Sequence, residues 1–398
     1  MSAPTKAPPA PSTGTLREQP RVAVYRTRYL PRSETFVRDH LVRMPRYRTS
    51  AVVKTVLPDA LPVPGVRPVV PVNRRLYPRL EDAVLYRLRR PGHLATAAPL
   101  AAALRSTGAD LVHAHFGVDA AYALPAVRLS RLPLVVTFHG YDATTRPEVM
   151  RGNPWGRLLV DGFDDLMERA ARVVTVSEYL RGRLVARGAP EDKIRVIPCG
   201  VDPASVPEPA AAPTDGPLLF VGRLTEKKGL GDLLEALAGL PDPPELLVVG
   251  DGHLRQDLER RARDLRVRAH FLGMRTSGEV GALMDRASVL CLPSKTAPDG
   301  DCEGLPVTAL EAGLHGRPVV GYAHSGIPEA VLHDRTGLLA EEGDVDGLRH
   351  ELVRACGDAD LRARLGAAAR DRVVTEFSTD LLLGRLADVY DEVVQPRR

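Results

Sequence analysis

Short apolar runs rich in Val, Leu and Ile recur along the chain, each closed by Gly, Pro or a polar turn. The first half carries them at Arg21–Tyr25, Ala109–Phe116, Leu132–Gly140, Ala171–Ser177 and Ile194–Asp202. The second half carries them at Pro217–Gly222, Glu245–Gly250, His270–Gly273, Ala287–Ser294, Arg317–Val320 and Gly337–Leu339. Continuous apolar runs bounded by turn residues predict strands buried on both faces. Helical spacing lies between them, as in Gly229–Leu240. Strands that alternate with helices predict an α/β chain with parallel, doubly wound sheets, whose ligands sit at the carboxyl ends of the strands. A last helix, Thr379–Val394, has Leu382, Leu386, Val389 and Val393 on one face.

The pattern breaks at 203–216, where Pro203, Pro207, Pro209 and Pro213 stand among alanines. That stretch reads as a linker. It divides the chain into a disordered tail at 1–20, a first domain at 21–202, a second at 217–376 and a terminal helix at 377–398. Residues 1–20 lack an apolar core and so do not read as a signal peptide. After the first strand, Leu30–Phe36 reads as a loop opening a helix, with Ser33 or Thr35 as the cap. Arg74–His93 reads as an amphipathic helix, with Leu76, Leu80, Val84 and Leu88 on one face and several arginines around it. Such a stripe packs on its own domain or lies on a membrane surface.

The richest chemistry lies in Asp299–Glu311, Asp-Gly-Asp-Cys-Glu-Gly-Leu-Pro-Val-Thr-Ala-Leu-Glu. A strand precedes it, and Pro306 suits the first position of a helix that Gly316 and Pro318 stop. Free N–H groups and the dipole at a helix N-terminus favour an anion. Glu303 sits in the loop and Glu311 within the helix, roughly 8 Å below its mouth at about 1.5 Å per residue. Donors for phosphate beside acceptors for hydroxyls match the groups of a sugar nucleotide.

Around this stretch stand Val221-Gly-Arg-Leu-Thr-Glu-Lys-Lys-Gly229 upstream and Gly321-Tyr-Ala-His-Ser-Gly-Ile-Pro-Glu-Ala-Val331 downstream. In this order and spacing the segments resemble the retaining glycosyltransferases of family four, and the resemblance covers the chain from about Arg21. Ser-Glu-Thr-Phe36, where many members have a Gly-rich turn, is similar to bacterial exopolysaccharide-type, colanic acid-like members. The resemblance implies a GT-B fold: two Rossmann-like domains facing a cleft, with the terminal helix crossing back onto the first. It implies that Arg223 and Lys228 bind the donor diphosphate, that backbone near Leu305, Val307 and Thr308 faces it, and that Glu303 holds the donor sugar. It further implies that Glu311 holds the ribose and that His139 meets the transferred sugar from the opposite domain. Ser177 and the Gly321–Pro328 loop are secondary candidates. The implied reaction is transfer, with retention, from a nucleotide sugar (a UDP-sugar above all) to a sugar, lipid-linked or small-molecule hydroxyl. Neither cofactor nor metal is expected. Asp299-Gly-Asp301 has the form of a metal-binding pair, but Arg223, Lys228 and the helix mouth already supply positive potential, so both read as solvated loop acids or as groups that tune the approach of the acceptor. His113 and His115 share one strand face without Cys or acidic partners, and read as strand-end polar groups rather than a zinc site.

Charge and composition sharpen the picture. The chain has 398 residues and a net charge of +4, but Arg21–Leu94 holds sixteen Lys or Arg against five Asp or Glu. That basic segment suits an anionic neighbour, such as a lipid surface or a phosphorylated acceptor. No apolar run reaches membrane-spanning length, and nothing points to nucleic acid. Four cysteines without ligand spacing fit a reduced, cytoplasmic chain, with room for contact at the inner membrane face. Gly250-Asp-Gly252 lacks the third glycine of a dinucleotide fingerprint, which argues against a nicotinamide dehydrogenase. A sugar-nucleotide epimerase and a non-catalytic sugar-nucleotide-binding protein stay open as alternatives.

Overall fold

In a computed structural model, the structure describes residues 19–29, 34–56, 93–206 and 215–394, with isolated positions at 60, 63, 66, 68–70, 208–209 and 213. The amphipathic stretch from Arg74 up to His93, most of the tail at 1–20, the Leu30–Ser33 turn and much of the linker lie outside these residues.

Two six-stranded sheets form, and every pairing in them is parallel. The first runs β2-β1-β3-β4-β5-β6, from β1 (Arg21–Tyr29), β2 (Arg48–Val56), β3 (Leu111–His115), β4 (Leu134–Phe138), β5 (Ala170–Thr175) and β6 (Ile194–Val196). The second runs β12-β11-β10-β7-β8-β9. Its strands are β7 (Leu218–Val221), β8 (Leu246–Val249), β9 (Ala269–Gly273), β10 (Val289–Leu292), β11 (Val319–Ala323) and β12 (Gly337–Glu341). Strand order reverses between β1 and β3 in one sheet and between β7 and β10 in the other. Crevices open at such points, beyond the strands' carboxyl ends. Strand β2, absent from the apolar pattern because its ends are polar and exposed, pairs with β1 along nearly its whole length.

Helices cover both faces of the second sheet, so its strands alternate between two cores. Leu218, Phe220, Leu246, Val248, Val289 and Cys291 pack with helices Leu230–Ala238 and Val345–Gly357. Leu219, Leu247, Leu290 and Leu292 join the other core, which continues into the first domain and the terminal helix. That helix, Thr379–Val393, buries Leu382, Leu386 and Val389. Polar contacts fix its register on the first domain. Tyr47 Oη donates to Asp391 Oδ1 at 2.6 Å, Arg43 pairs with Asp380 at 2.8 Å, and Arg172 pairs with Glu392 at 2.8 Å.

Two readings of helix starts shift. Helix Thr35–Arg43 begins at Thr35 itself, and Glu34 stands at the cap position without a capping hydrogen bond. The Glu34 carboxylate is instead drawn to Arg26. Pro306 is the residue before helix Val307–Leu314 rather than its first residue, because its ψ of 101° is extended. The four cysteines are free thiols. Among the described residues no helix is long and apolar enough to cross a membrane.

Because the terminal helix shares the first domain's core, truncating one of its buried side chains should weaken the whole fold. Leu386→Ala is expected to destabilise the protein by about 2–5 kcal/mol, the usual range for a buried leucine. Urea denaturation followed by circular dichroism measures this, and an unchanged midpoint would mean that the helix is not docked.

Candidate active site

A cleft of about 1790 Å³ lies between the carboxyl ends of the two sheets. His139, Arg223, Lys228, Glu303, Leu305, Val307, Thr308 and Glu311 all line it. Chain geometry on the second-domain side explains the convergence. After β7 the chain passes Gly222 and Arg223, then makes a tight turn at Glu226–Lys228 into helix Leu230–Ala238. After β10 it runs through Asp299–Gly304 to helix Val307–Leu314. Because β7 and β10 are neighbours, the two loops meet.

Charges at that meeting point are paired. Lys228 Nζ sits 2.7 Å from Glu303 Oε1, an ion pair without the angle of a directed hydrogen bond. Burial works against ionising Glu303, but Lys228 and Lys227 outweigh it and pull the carboxyl down to about 2. Lys227 Nζ lies 3.0 Å from Asp301 Oδ2. Asp301 is therefore not a solvated loop acid: its side chain is 17% exposed, and burial raises its pKa although Lys227 pulls the other way. Arg223 is exposed on the cleft wall. No side chain caps helix Val307–Leu314 and no acid lies in its first turn, so its positive end is left to the cleft. Glu311, its fifth residue, meets no ionic partner among the described residues, and burial raises its carboxyl to about 7.

The Asp299–Gly304 segment also rests on the first domain. Arg146 N donates to Asp299 O at 2.9 Å, and Cys302 N donates to Thr144 Oγ1 at 3.3 Å. A side chain at position 304 would collide with the His139 carbonyl oxygen, its Cβ falling 2.0 Å away, so only glycine allows this approach. Of the secondary candidates, Ser177 caps helix Glu178–Ala186 by accepting from Leu180 N at 3.2 Å, a structural task. Beside the Gly321–Pro328 loop, Glu329 accepts from Glu178 N at 2.7 Å and Tyr179 N at 2.9 Å, a further bridge between the domains.

Opposite stands the first-domain wall. His139 follows β4, with the Phe36 and Phe116 rings each 4.5 Å from its own. Burial, then Arg26 and His40, hold its imidazole neutral, with the pKa well below the usual value. Asp142 shapes this turn: Oδ1 accepts from His139 N at 3.1 Å and Gly140 N at 3.0 Å, and Oδ2 from Gly117 N at 2.8 Å. Burial lifts its carboxyl to about 6 even so. Sequence reasoning missed Asp142, though an Asp three residues beyond a strand-end His is the signal of such a turn. It also missed the buried set on the same wall, where Arg26 pairs with both Glu34 and Asp119. His115 does stand at the end of β3, whereas His113 lies within it; both are buried, with stacked rings 4.5 Å apart, and His40 joins them.

Two parallel-sheet domains whose strand ends face one cleft, with an open helix N-terminus and paired lysines on one side, define a GT-B glycosyltransferase. Comparison with known proteins agrees. Residues 53–205 match the model of Glycosyltransferase Family 4, and residues 204–372 that of Glycosyl transferases group 1. The chain is 33% identical over 304 residues to the amylovoran biosynthesis glycosyltransferase AmsK of Erwinia amylovora, covering 74% of this chain and 73% of that one. It is 34% identical over 291 residues to WcaL of Escherichia coli, a protein named for colanic acid biosynthesis, covering 71% and 70%. Its fold matches that of Anabaena HepE, solved with UDP and glucose, at a TM-score of 0.72 and 19% identity over 94% of this chain and 99% of that one. The chain belongs to glycosyltransferase family four.

The raised carboxyl of Glu311 carries a sign. Between about 4.5 and about 7 the folded protein keeps a proton that the unfolded chain releases. This group's contribution is therefore full below the lower value and is lost as pH rises through the upper one. Glu311→Gln stays neutral throughout, so its stability should fall less steeply than wild type across that window. Urea melts at several pH values test this, and parallel pH profiles would refute the assignment.

Proposed function

We propose that this chain is a retaining, metal-independent glycosyltransferase. It transfers a sugar from a nucleotide donor, a UDP-sugar, to a hydroxyl of a growing saccharide in exopolysaccharide assembly. The observation that carries this reading is the clustering of Arg223, Lys228, Glu303, Glu311 and the mouth of helix Val307–Leu314 in one cleft facing His139. The diphosphate lies between Arg223, Lys228 and the N–H groups of Val307 and Thr308, which stabilise negative charge as the glycosidic bond breaks. Glu303 accepts from the sugar hydroxyls and Glu311 from the ribose. AmsK and WcaL, by name exopolysaccharide enzymes, support the pathway class, and the HepE complex supports UDP.

The first-domain wall supports a route without a covalent intermediate. A double displacement needs a free carboxylate at the anomeric carbon. Of the carboxylates on that wall, Glu34 and Asp119 are held by Arg26, and Asp142 accepts from three backbone N–H groups. In the retaining reading the acceptor hydroxyl attacks from the face the diphosphate leaves, and the leaving phosphate takes its proton. Metal independence rests on Asp301. A cation on the diphosphate is usually held by one or two carboxylates, and Asp301 already faces Lys227.

The test is a panel of UDP-, GDP- and dTDP-sugars, read by thermal shift and then by mass spectrometry of products with saccharide acceptors. Free nucleotide released only with an acceptor excludes an epimerase. Lys228→Ala and Glu311→Ala should each lose roughly 1.5–3 kcal/mol of ligand stabilisation, about a ten- to hundred-fold fall in kcat/KM, while remaining folded. Near-normal kinetics in either soluble variant would remove the site. Activity should persist in excess EDTA. A loss restored by Mn²⁺ would overturn the metal-free reading and the diphosphate roles of Arg223 and Lys228.

A further inference from the structure

A row of hydrogen bonds runs from the core of the first domain to the cleft. Thr137 Oγ1 lies 2.7 Å from His113 Nε2. His113 Nδ1 meets Tyr390 Oη, and Tyr390 Oη lies 2.9 Å from His40 Nε2. His40 Nδ1 is 2.8 Å from His115 Nε2, and His115 Nδ1 is 3.0 Å from His139 Nε2. The row draws on β3, β4, helix Thr35–Arg43 and the terminal helix. His113 and Tyr390 are 0% exposed, and His40, His115 and Thr137 at most 4%. Burial holds all four imidazoles neutral.

Neutral imidazole has one donor and one acceptor nitrogen. Every bond in the row needs one proton, and each imidazole passes the direction on unchanged. Tyr390 Oη could accept from both His113 and His40, but its own proton would then have no further acceptor among the described residues. Two states remain, in which the protons all point the same way, and the ends decide between them. If His113 donates to Thr137, the Thr137 hydroxyl proton needs another acceptor, and the structure gives it none among the described residues. An unsatisfied hydroxyl donor in a dry core is destabilising. If Thr137 donates instead, the row runs outward: each histidine passes its proton towards the cleft, and His139 Nε2 accepts from His115. The free end then falls at His139 Nδ1, whose neighbour is the Cys199 sulfur at 3.8 Å. There a wet cleft or a weak sulfur acceptor serves, and the thiol left without an acceptor is only a weak donor.

We infer that Thr137, His113, Tyr390, His40 and His115 are positioning residues that hold His139 in its Nδ1–H tautomer. With Nε2 already accepting and Nδ1 protonated, His139 has no free lone pair. It acts as a hydrogen-bond donor in the cleft wall and not as a general base, which deepens the reading above and, for its consequence in transfer, rests on it. His40, His113 and His115 also stand close enough to hold a metal ion. A metal would take the lone pairs that the row already uses, so the row and a metal exclude one another.

The tautomer is measurable on the free, full-length protein without any substrate, so its outcome is independent of the donor and acceptor. In ¹⁵N-histidine-labelled enzyme, long-range ¹H–¹⁵N correlation should show His139 protonated at Nδ1 and bare at Nε2, with the resonance identified by its loss in His139→Gln. Thr137→Val removes the proton that orients the row, so the Nδ1–H signal should fall and Nε2 should shift towards its protonated position. Thr137→Ser should restore the wild-type spectrum, which a merely structural role for the side chain would not require. His139 protonated at Nε2, a Thr137→Val spectrum identical to wild type, or a stoichiometric metal in the purified protein would overturn the inference.

Discussion

The backbone of Gly304 against the carbonyl of His139 is the constraint on which the site depends. Each sheet alone ends in a crevice with half the chemistry. One holds cations and an open helix mouth, the other a histidine backed by aromatic rings. The approach is closer than any side chain at position 304 would permit. The Asp299–Gly304 segment thus reaches both halves, because its carboxylates pair with Lys227 and Lys228 while its backbone bonds to Thr144 and Arg146. Further bonds from Glu329 to the start of helix Glu178–Ala186 hold the domains together at the same edge of the cleft.

Electrostatics divides the cleft in the same way. On the second-domain side charges sit in pairs, and Glu303 stays ionised because two lysines outweigh its burial. Glu311, without such neighbours, is pushed in the opposite direction by the same burial. Two glutamates eight positions apart thus differ in charge near neutral pH because of what surrounds them. On the first-domain side Arg26 pairs with both Glu34 and Asp119, and the histidines are uncharged.

Local signals carried most of the strands and the parallel α/β class, because apolar runs, a proline before a helix and a glycine after a strand act within a few residues. What the sequence concealed acts over long separations. Nothing near His115 announces that His40 and Tyr390 will meet in its core, since α/β winding and the terminal helix bring them together. Glu34 looked like part of a capping turn until Arg26 competed for its carboxylate. Asp301 looked solvated because its partner, Lys227, lies in a separate loop that only the pairing of β7 with β10 brings near. The family motif pointed to residues that line the cleft, while the groups that hold them, Asp142 and Lys227 among them, needed the fold.

A crystal structure of the protein with UDP tests the central claim most directly. The account predicts the diphosphate between Arg223, Lys228 and the N–H groups of Val307 and Thr308, with the ribose hydroxyls on Glu311. Lys228 would then be shared between Glu303 and phosphate. A nucleotide bound against the first-domain wall, or a diphosphate held through a cation on Asp299 and Asp301, would contradict it.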